Sequence, residues 1–204
     1  MYDLSSIGMK KGLLYETIIT TNNEELPNAA PIGVICKNNS EVVLYLYEGT
    51  HTLENIKSNK RFVVNILRDP LIFVLSTIGE LSADYFKEYK DGFFINSADA
   101  FGVFEVNNIK EVEKKDAISE SKMNVVTASL EDIVINKENV QPLNRAIFAI
   151  IESLVYVSRI NIVDEDTSNE YSKRIKEMSR LVTRVGGMED KKAMNKILEF
   201  LEDD

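Results

Sequence analysis

The chain has a single cysteine and a single histidine, and these two shortages exclude more chemistry than any motif supplies. One cysteine, Cys36, rules out an internal disulfide, and a buried free thiol is its expected state. One Cys and one His cannot build the usual zinc sites, and a Ser-His-Asp triad would have to use His51. No P-loop and no G-x-G-x-x-G fingerprint occurs. No run approaches roughly 18 apolar residues, and no basic amphipathic stretch suggests a membrane surface. An excess of basic residues is missing too: 24 Lys and Arg stand against 33 Asp and Glu, a formal charge of −9. A nucleic-acid backbone is therefore not an expected partner. The opening "MYDLSSIGMKKGLLYETIITT" lacks the apolar core of a secretory signal, so a soluble, cytoplasmic protein is expected. If such a chain is an enzyme, a bound organic cofactor has to carry the hard chemistry.

What is present divides by periodicity. With 204 residues the chain can bury a sizeable core. The first part reads as β: "YETIITTN", "AAPIGVICKN", "EVVLYLYEG", "RFVVNIL" and "FGVFEVNNIKEVEKK" are rich in β-branched and aromatic residues and separated by turn chemistry. Pro31 removes a ladder donor, which predicts an edge or a bulge there, with backbone groups left free nearby. Tyr45 and Tyr47 share one strand face, where core or interface packing is the favoured role. From Pro142 the period changes to that of helices: Leu143, Ala146, Ile147, Ile150, Ile151, Leu154 and Val155 outline one predicted apolar face, with Pro142 in the first turn. Two more helical stretches follow, separated by Gly186 and Gly187. The fold class expected is α+β, mainly β: an antiparallel barrel over residues 1–140 and a helical extension over 141–204 packed on the barrel or a dimer interface.

The candidate site lies in "LYEGTHTLENIKSNKRFVVNIL", where a strand turns into a short helix. Helix N-termini carry unpaired N–H groups and partial positive charge, and so favour phosphate. Thr50 and Thr52 add hydroxyls, and His51 adds a ring donor, with Lys57, Lys60 or Arg61 as sources of charge. A plain helix cap at Thr50 or Thr52 and a surface role for His51 are the competing reading.

Three segments, "PNAAPIGV", "LYEGTHTLENI" and "FVVNIL", occur in that order. Together they resemble the FMN-binding split-barrel proteins, the class of flavin reductases and pyridoxamine-phosphate oxidases. The nearest likeness is to the archaeal DUF447 family, which "YETI" and "ESLVYVSRI" also resemble. The likeness implies a split β-barrel that binds FMN. Asn28, Ala29, Ala30, Pro31 and Ile32 would lie along the flavin ring, Thr50, His51 and Thr52 would meet the phosphate, and Asn55 and Asn65 would stand near the phosphate or the ribityl chain. Asn28 as a turn residue and Asn65 as a strand-edge amide are the alternatives from the residues alone. Family members that place a basic residue beside the phosphate threonine differ from this chain, which has His51, and Arg61 is the expected compensation. The resemblance further implies a homodimer with the site at the subunit interface. Two function classes follow: an FMN-dependent oxidoreductase or flavin reductase of unassigned substrate, and a non-catalytic binding protein for FMN or another phosphorylated cofactor. Deazaflavin, haem and pyridoxal phosphate are further ligands such barrels accept.

Overall fold

The computed structural model describes residues 3–23, 26–78, 81–116 and 119–203, without the side chains at 26, 113–116, 119–121, 202 and 203. The chain forms two compact units, Met1–Leu143 and Asn144–Asp204.

In the first unit, β1 (Leu14–Asn23), β2 (Leu26–Cys36), β3 (Glu41–Tyr47), β4 (Arg61–Ile66), β7 (Ala100–Asp116) and β8 (Ser119–Ile135) close a barrel in the order β1-β2-β3-β8-β7-β4. All its pairings are antiparallel. The barrel needs β8, which the sequence reading does not mark as a strand. Its buried positions include Asn124 and Ala128, so the hydrophobic alternation that signals a strand is blurred. A separate hairpin of β5 (Phe86–Tyr89) and β6 (Gly92–Ile95) follows α2 (Pro70–Ile78).

Helix α1 (His51–Asn59) starts after Gly49, whose φ of 79° turns the chain out of β3 at no Cβ cost. Thr50 caps it, its hydroxyl accepting from the N–H of Leu53 at 3.4 Å, and Lys60 in the left-handed region ends it. Leu53 and Ile56 on its inner face are fully buried in the main core with Ile19, Val34, Leu44, Val64 and Phe104. Each such side chain contributes about 1.5–3 kcal/mol, and their spacing fixes which face of the helix turns inward.

One pairing matters for the site. β2 pairs with β1 from Leu26 to Ile35, but with β3 only through Val34, Ile35 and Cys36. Among the described residues, no strand pairs with the other edge of β2 over 26–33. Pro31 sits on that stretch, opposite Ile18 of β1, as its missing donor requires.

Of the two roles expected for Tyr45 and Tyr47, their 48% and 55% exposure removes the core and leaves the interface. One expectation needs correction. The first C-terminal helix begins later than Pro142. In the second unit it is α3 (Ala146–Val157), followed by α4 (Glu165–Val185) and α5 (Met188–Asp203). Leu143 belongs to the first unit, where its carbonyl accepts from the N–H of Glu16 at 2.8 Å. α3 buries Ala146, Ala149, Ile150 and Ser153, while Ile147, Ile151 and Leu154 are about half exposed.

Candidate cofactor site

The free edge of β2 and the start of α1 border one cavity of about 380 Å³, within the range of small-molecule sites. Asn23, Pro27, Asn28 and Ala29 line it from the end of β1 and from β2, and His51 and Asn55 from α1. Ser76, Leu81, Ala83 and Phe86 complete the wall. Four of the ten residues singled out in the sequence therefore meet there: Asn28, Ala29, His51 and Asn55. Among the described residues the lining holds no carboxylate, although Glu54 stands in the first turn of α1 beside His51.

Beneath the lining lies a polar cluster. The Asn55 amide donates to the Thr21 hydroxyl at 3.0 Å, and the Asn28 amide donates to the same oxygen at 3.3 Å and to the Thr52 hydroxyl at 3.2 Å. Thr21, Thr52 and Asn55 are all at least nine-tenths buried. Their burial in a low-dielectric setting makes these bonds matter, because a lost partner leaves a polar atom with no access to water. Thr21 has no signal in the sequence: it stands at the end of a strand, and its partners come from 7 and 34 positions away.

The other candidates are placed differently. Thr50 is exposed and acts as the helix cap, its hydroxyl also donating to the carbonyl of Tyr47 at 3.0 Å. His51 is exposed, its Nδ1 lying 3.8 Å from a Glu54 carboxylate oxygen. Ala30, Pro31 and Ile32 are half-buried along the open strand edge beyond the cavity lining. Asn65 has no exposure. Its amide donates to the carbonyl of Ile18 and the hydroxyl of Thr20, both at 3.0 Å, while its oxygen accepts from the N–H of Ile95 at 2.7 Å. It ties β4 to β1 and β6 by satisfying backbone groups, as the alternative has it, but not at an edge, since β4 pairs with both β1 and β7 there.

The expected compensation by Arg61 is not what the structure shows. Arg61 opens β4 beyond the C-terminal end of α1, which spans about 10.5 Å from Thr52 to Asn59 at 1.5 Å per residue. Its guanidinium bonds Glu131 and Asp91, and it borders a second cavity of about 350 Å³ against the β5–β6 hairpin. Glu131 and Asp91 hold its charge firmly in place, pushing its pKa above the usual arginine value. Lys57 bonds both oxygens of Glu48, at 2.8 and 3.1 Å. The donors left at the start of α1 are its backbone N–H groups, the second N–H of Asn55 and the His51 ring, since Asn28 gives its amide to Thr21 and Thr52.

Among the described residues no group of three or more His, Cys, Asp or Glu is arranged to hold a metal ion, and no helix is long and apolar enough to cross a membrane.

Comparison with known proteins gives the same architecture a family. Two models of proteins of unknown function, the DUF447 N-terminal domain and the DUF447 domain that follows it, match residues 15–137 and 144–199. An uncharacterised protein of Methanocaldococcus jannaschii is 28% identical over 194 residues, 93% of this chain and 98% of its own. The crystal structure of an FMN-bound protein from Methanosarcina mazei, assigned to DUF447, is 31% identical with a TM-score of 0.57, covering 97% of this chain and 99% of that one. Flavin reductase HpaC, solved with NADP+, shares the fold at 16% identity and a TM-score of 0.50, over 69% of this chain and 90% of its own. With both compact units matched in order, the chain belongs to the DUF447 family and has the split-barrel fold with a helical C-terminal part.

Proposed function

We propose that the protein is an FMN-binding flavoprotein, with the phosphate at the start of α1 and the ring along the open edge of β2. The observation that carries this reading is the shared cavity. It joins a helix N-terminus, suited to an anion, to unpaired strand backbone, suited to the polar edge of a ring, with Pro27, Leu81 and Phe86 as apolar wall. The FMN-bound relative from Methanosarcina mazei supports the choice of ligand.

Bound FMN supplies hydride or single-electron transfer. The chain's own part is to bind and orient it: Asn28 and Asn55, held by Thr21, present fixed amides, and His51 stands at the phosphate end. A flavin reductase or related oxidoreductase is the activity we favour, because such turnover needs no acid–base pair and the described lining offers none. A carrier or sensor of FMN is the second reading, resting on the same cavity.

A homodimer belongs to this proposal. α2 reads "PLIFVLSTI" without a charge, yet Leu71, Val74 and Ile78, on one stripe, are 55%, 48% and 83% exposed. A helix apolar on all sides calls for cover, and a second copy on that stripe would stand beside the cavity that Ser76 of the same helix lines. A cytoplasmic location fits the free thiol of Cys36.

The test is the visible spectrum of the purified protein, then titration with FMN followed by fluorescence quenching, with sedimentation for the dimer. Bands near roughly 370 and 450 nm or saturable micromolar binding are expected. Indifference to FMN overturns the reading. Oxidation of a nicotinamide donor by the FMN-loaded protein separates the oxidoreductase from the carrier.

A further inference from the structure

Helix α2 carries a polar atom that the fold does not use. The Ser76 hydroxyl oxygen is buried, and among the described residues it is the buried side-chain polar atom left without a hydrogen-bond partner. A serine inside a helix has a ready partner in the carbonyl four residues back. The adjacent Thr77 takes that route, donating to Phe73 at 2.7 Å, and Ser76 does not. Native interiors hold few such atoms, because an unmade buried hydrogen bond is costly.

Helical spacing indicates what Ser76 faces. It follows Ile72 by four residues and Phe73 by three, and so shares their side of the helix. Ile72 and Phe73 pack in one cluster with Ala29, Leu81 and Phe86. Those three residues also line the cavity that Ser76 borders. The serine therefore belongs to the apolar wall of the site rather than to the start of α1.

We propose that Ser76 is a ligand-binding residue of this cavity, its hydroxyl bonding a polar atom on the ring system of a planar heteroaromatic ligand. The inference rests on the flavin reading for the ligand's name. The orphan hydroxyl and its place in the wall supply the rest. The change asked of the residue on binding is a rotation about χ1 between staggered wells.

Ser76→Ala tests it, with FMN and riboflavin as probes and the melting temperature of the ligand-free protein as a second readout. The variant is expected to weaken both flavins by the same factor, about 2- to 12-fold, the size of one net hydrogen bond. Without ligand it should melt no lower than the wild type, since alanine favours the helix and removes an unpaired polar atom. A merely structural serine would lower the melting temperature and leave affinity alone. Unchanged affinity for both flavins, with wild-type binding intact, overturns the role of Ser76 and leaves the flavin reading standing. Loss confined to FMN overturns the placement at the ring, because riboflavin differs in lacking the phosphate. A wild type that binds neither flavin overturns the flavin reading and this inference with it.

Discussion

The Asn55 amide on α1 and the Thr21 hydroxyl on β1 meet at 3.0 Å, and Asn28 of β2 donates to the same oxygen. One threonine thus ties the start of the helix to two strands of the barrel. The cavity inherits its rigidity from that junction, because two of its polar lining groups, Asn28 and Asn55, are oriented by it.

Replacing Thr21 by valine keeps the shape and removes the acceptor. Two amide donors lose their shared partner, so a loss of about 1–3 kcal/mol in stability is expected from urea unfolding. FMN affinity should fall with it. In a double-mutant cycle with Asn55→Ala the two changes should be less than additive, since each breaks the same bond. Strict additivity would mean that Asn55 is positioned by something else.

The two threonines of the hinge should separate. Thr50→Ala removes an exposed cap and should cost about 1 kcal/mol of stability with little change in FMN affinity. Thr52→Val instead strips a buried hydroxyl from Asn28 and should weaken FMN binding. Equal effects of both on affinity would place both hydroxyls on the phosphate.

These contrasts show where sequence reasoning reaches. The hinge "EGTHT" is legible because a turn glycine, a cap and a helix start are local events. The open edge at Pro31 is legible for the same reason: a missing N–H restricts pairing wherever the strand lies. Thr21 and Ser76 are not legible. A threonine in a β-rich run and a serine in an apolar helix carry no local mark, and what distinguishes them is a partner gained or missing across the fold. β8 escapes because buried Asn124 and Ala128 interrupt its alternation, and the bulges in its pairing with β7, at Val103/Phe104 and Val106/Asn108, shift the register further. The reach of Arg61 is misjudged from sequence because nine helical residues separate the two ends of α1 in space while leaving them neighbours in the text.

Arg61→Gln provides a control on the site. Its ion pair with Glu131 is partly buried, with the two side chains 28% and 29% exposed, while Asp91 is 88% exposed. Stability should drop by about 1 kcal/mol, and the difference from wild type should shrink in high salt. FMN affinity should not change. A large loss of affinity would move the phosphate to the opposite end of α1.

Cys36 is 1% exposed, and burial, with the charge of Asp3 adding to it, pushes its thiol above the ordinary value of 9.0. Burial likewise raises Tyr15 above 10.0. Below the ordinary values both groups hold their protons in either state, and the stability they contribute is fully present. As pH rises past them the unfolded chain releases protons that the folded chain retains, and stability falls until the raised folded values are passed. Melting temperatures should therefore decline above about pH 9. Cys36→Ala should flatten the first part of that decline, and a thiol reagent at pH 8 should react at the rate of unfolding rather than at once. Immediate labelling of the native protein would contradict the buried thiol.

His51→Lys tests the phosphate position proposed for the start of α1. The wild-type side chain is 89% exposed, and its ring lies 3.8 Å from Glu54. Lysine supplies a permanent positive charge at the same place, at a cost of a few tenths of a kcal/mol for a cation at a helix N-terminus. The gain should be modest, because the site is open to solvent and Glu54 competes for the charge: about two- to fivefold tighter FMN, fading with added salt. Riboflavin should bind as before, since it lacks the group on which the lysine acts. Glu54→Gln should move FMN affinity in the same direction by removing the competing carboxylate. If His51→Lys tightened both flavins equally, the charge would be acting on the ring and the assignment of the α1 start to the phosphate would be reversed; if it tightened neither, the phosphate would lie beyond reach of residue 51.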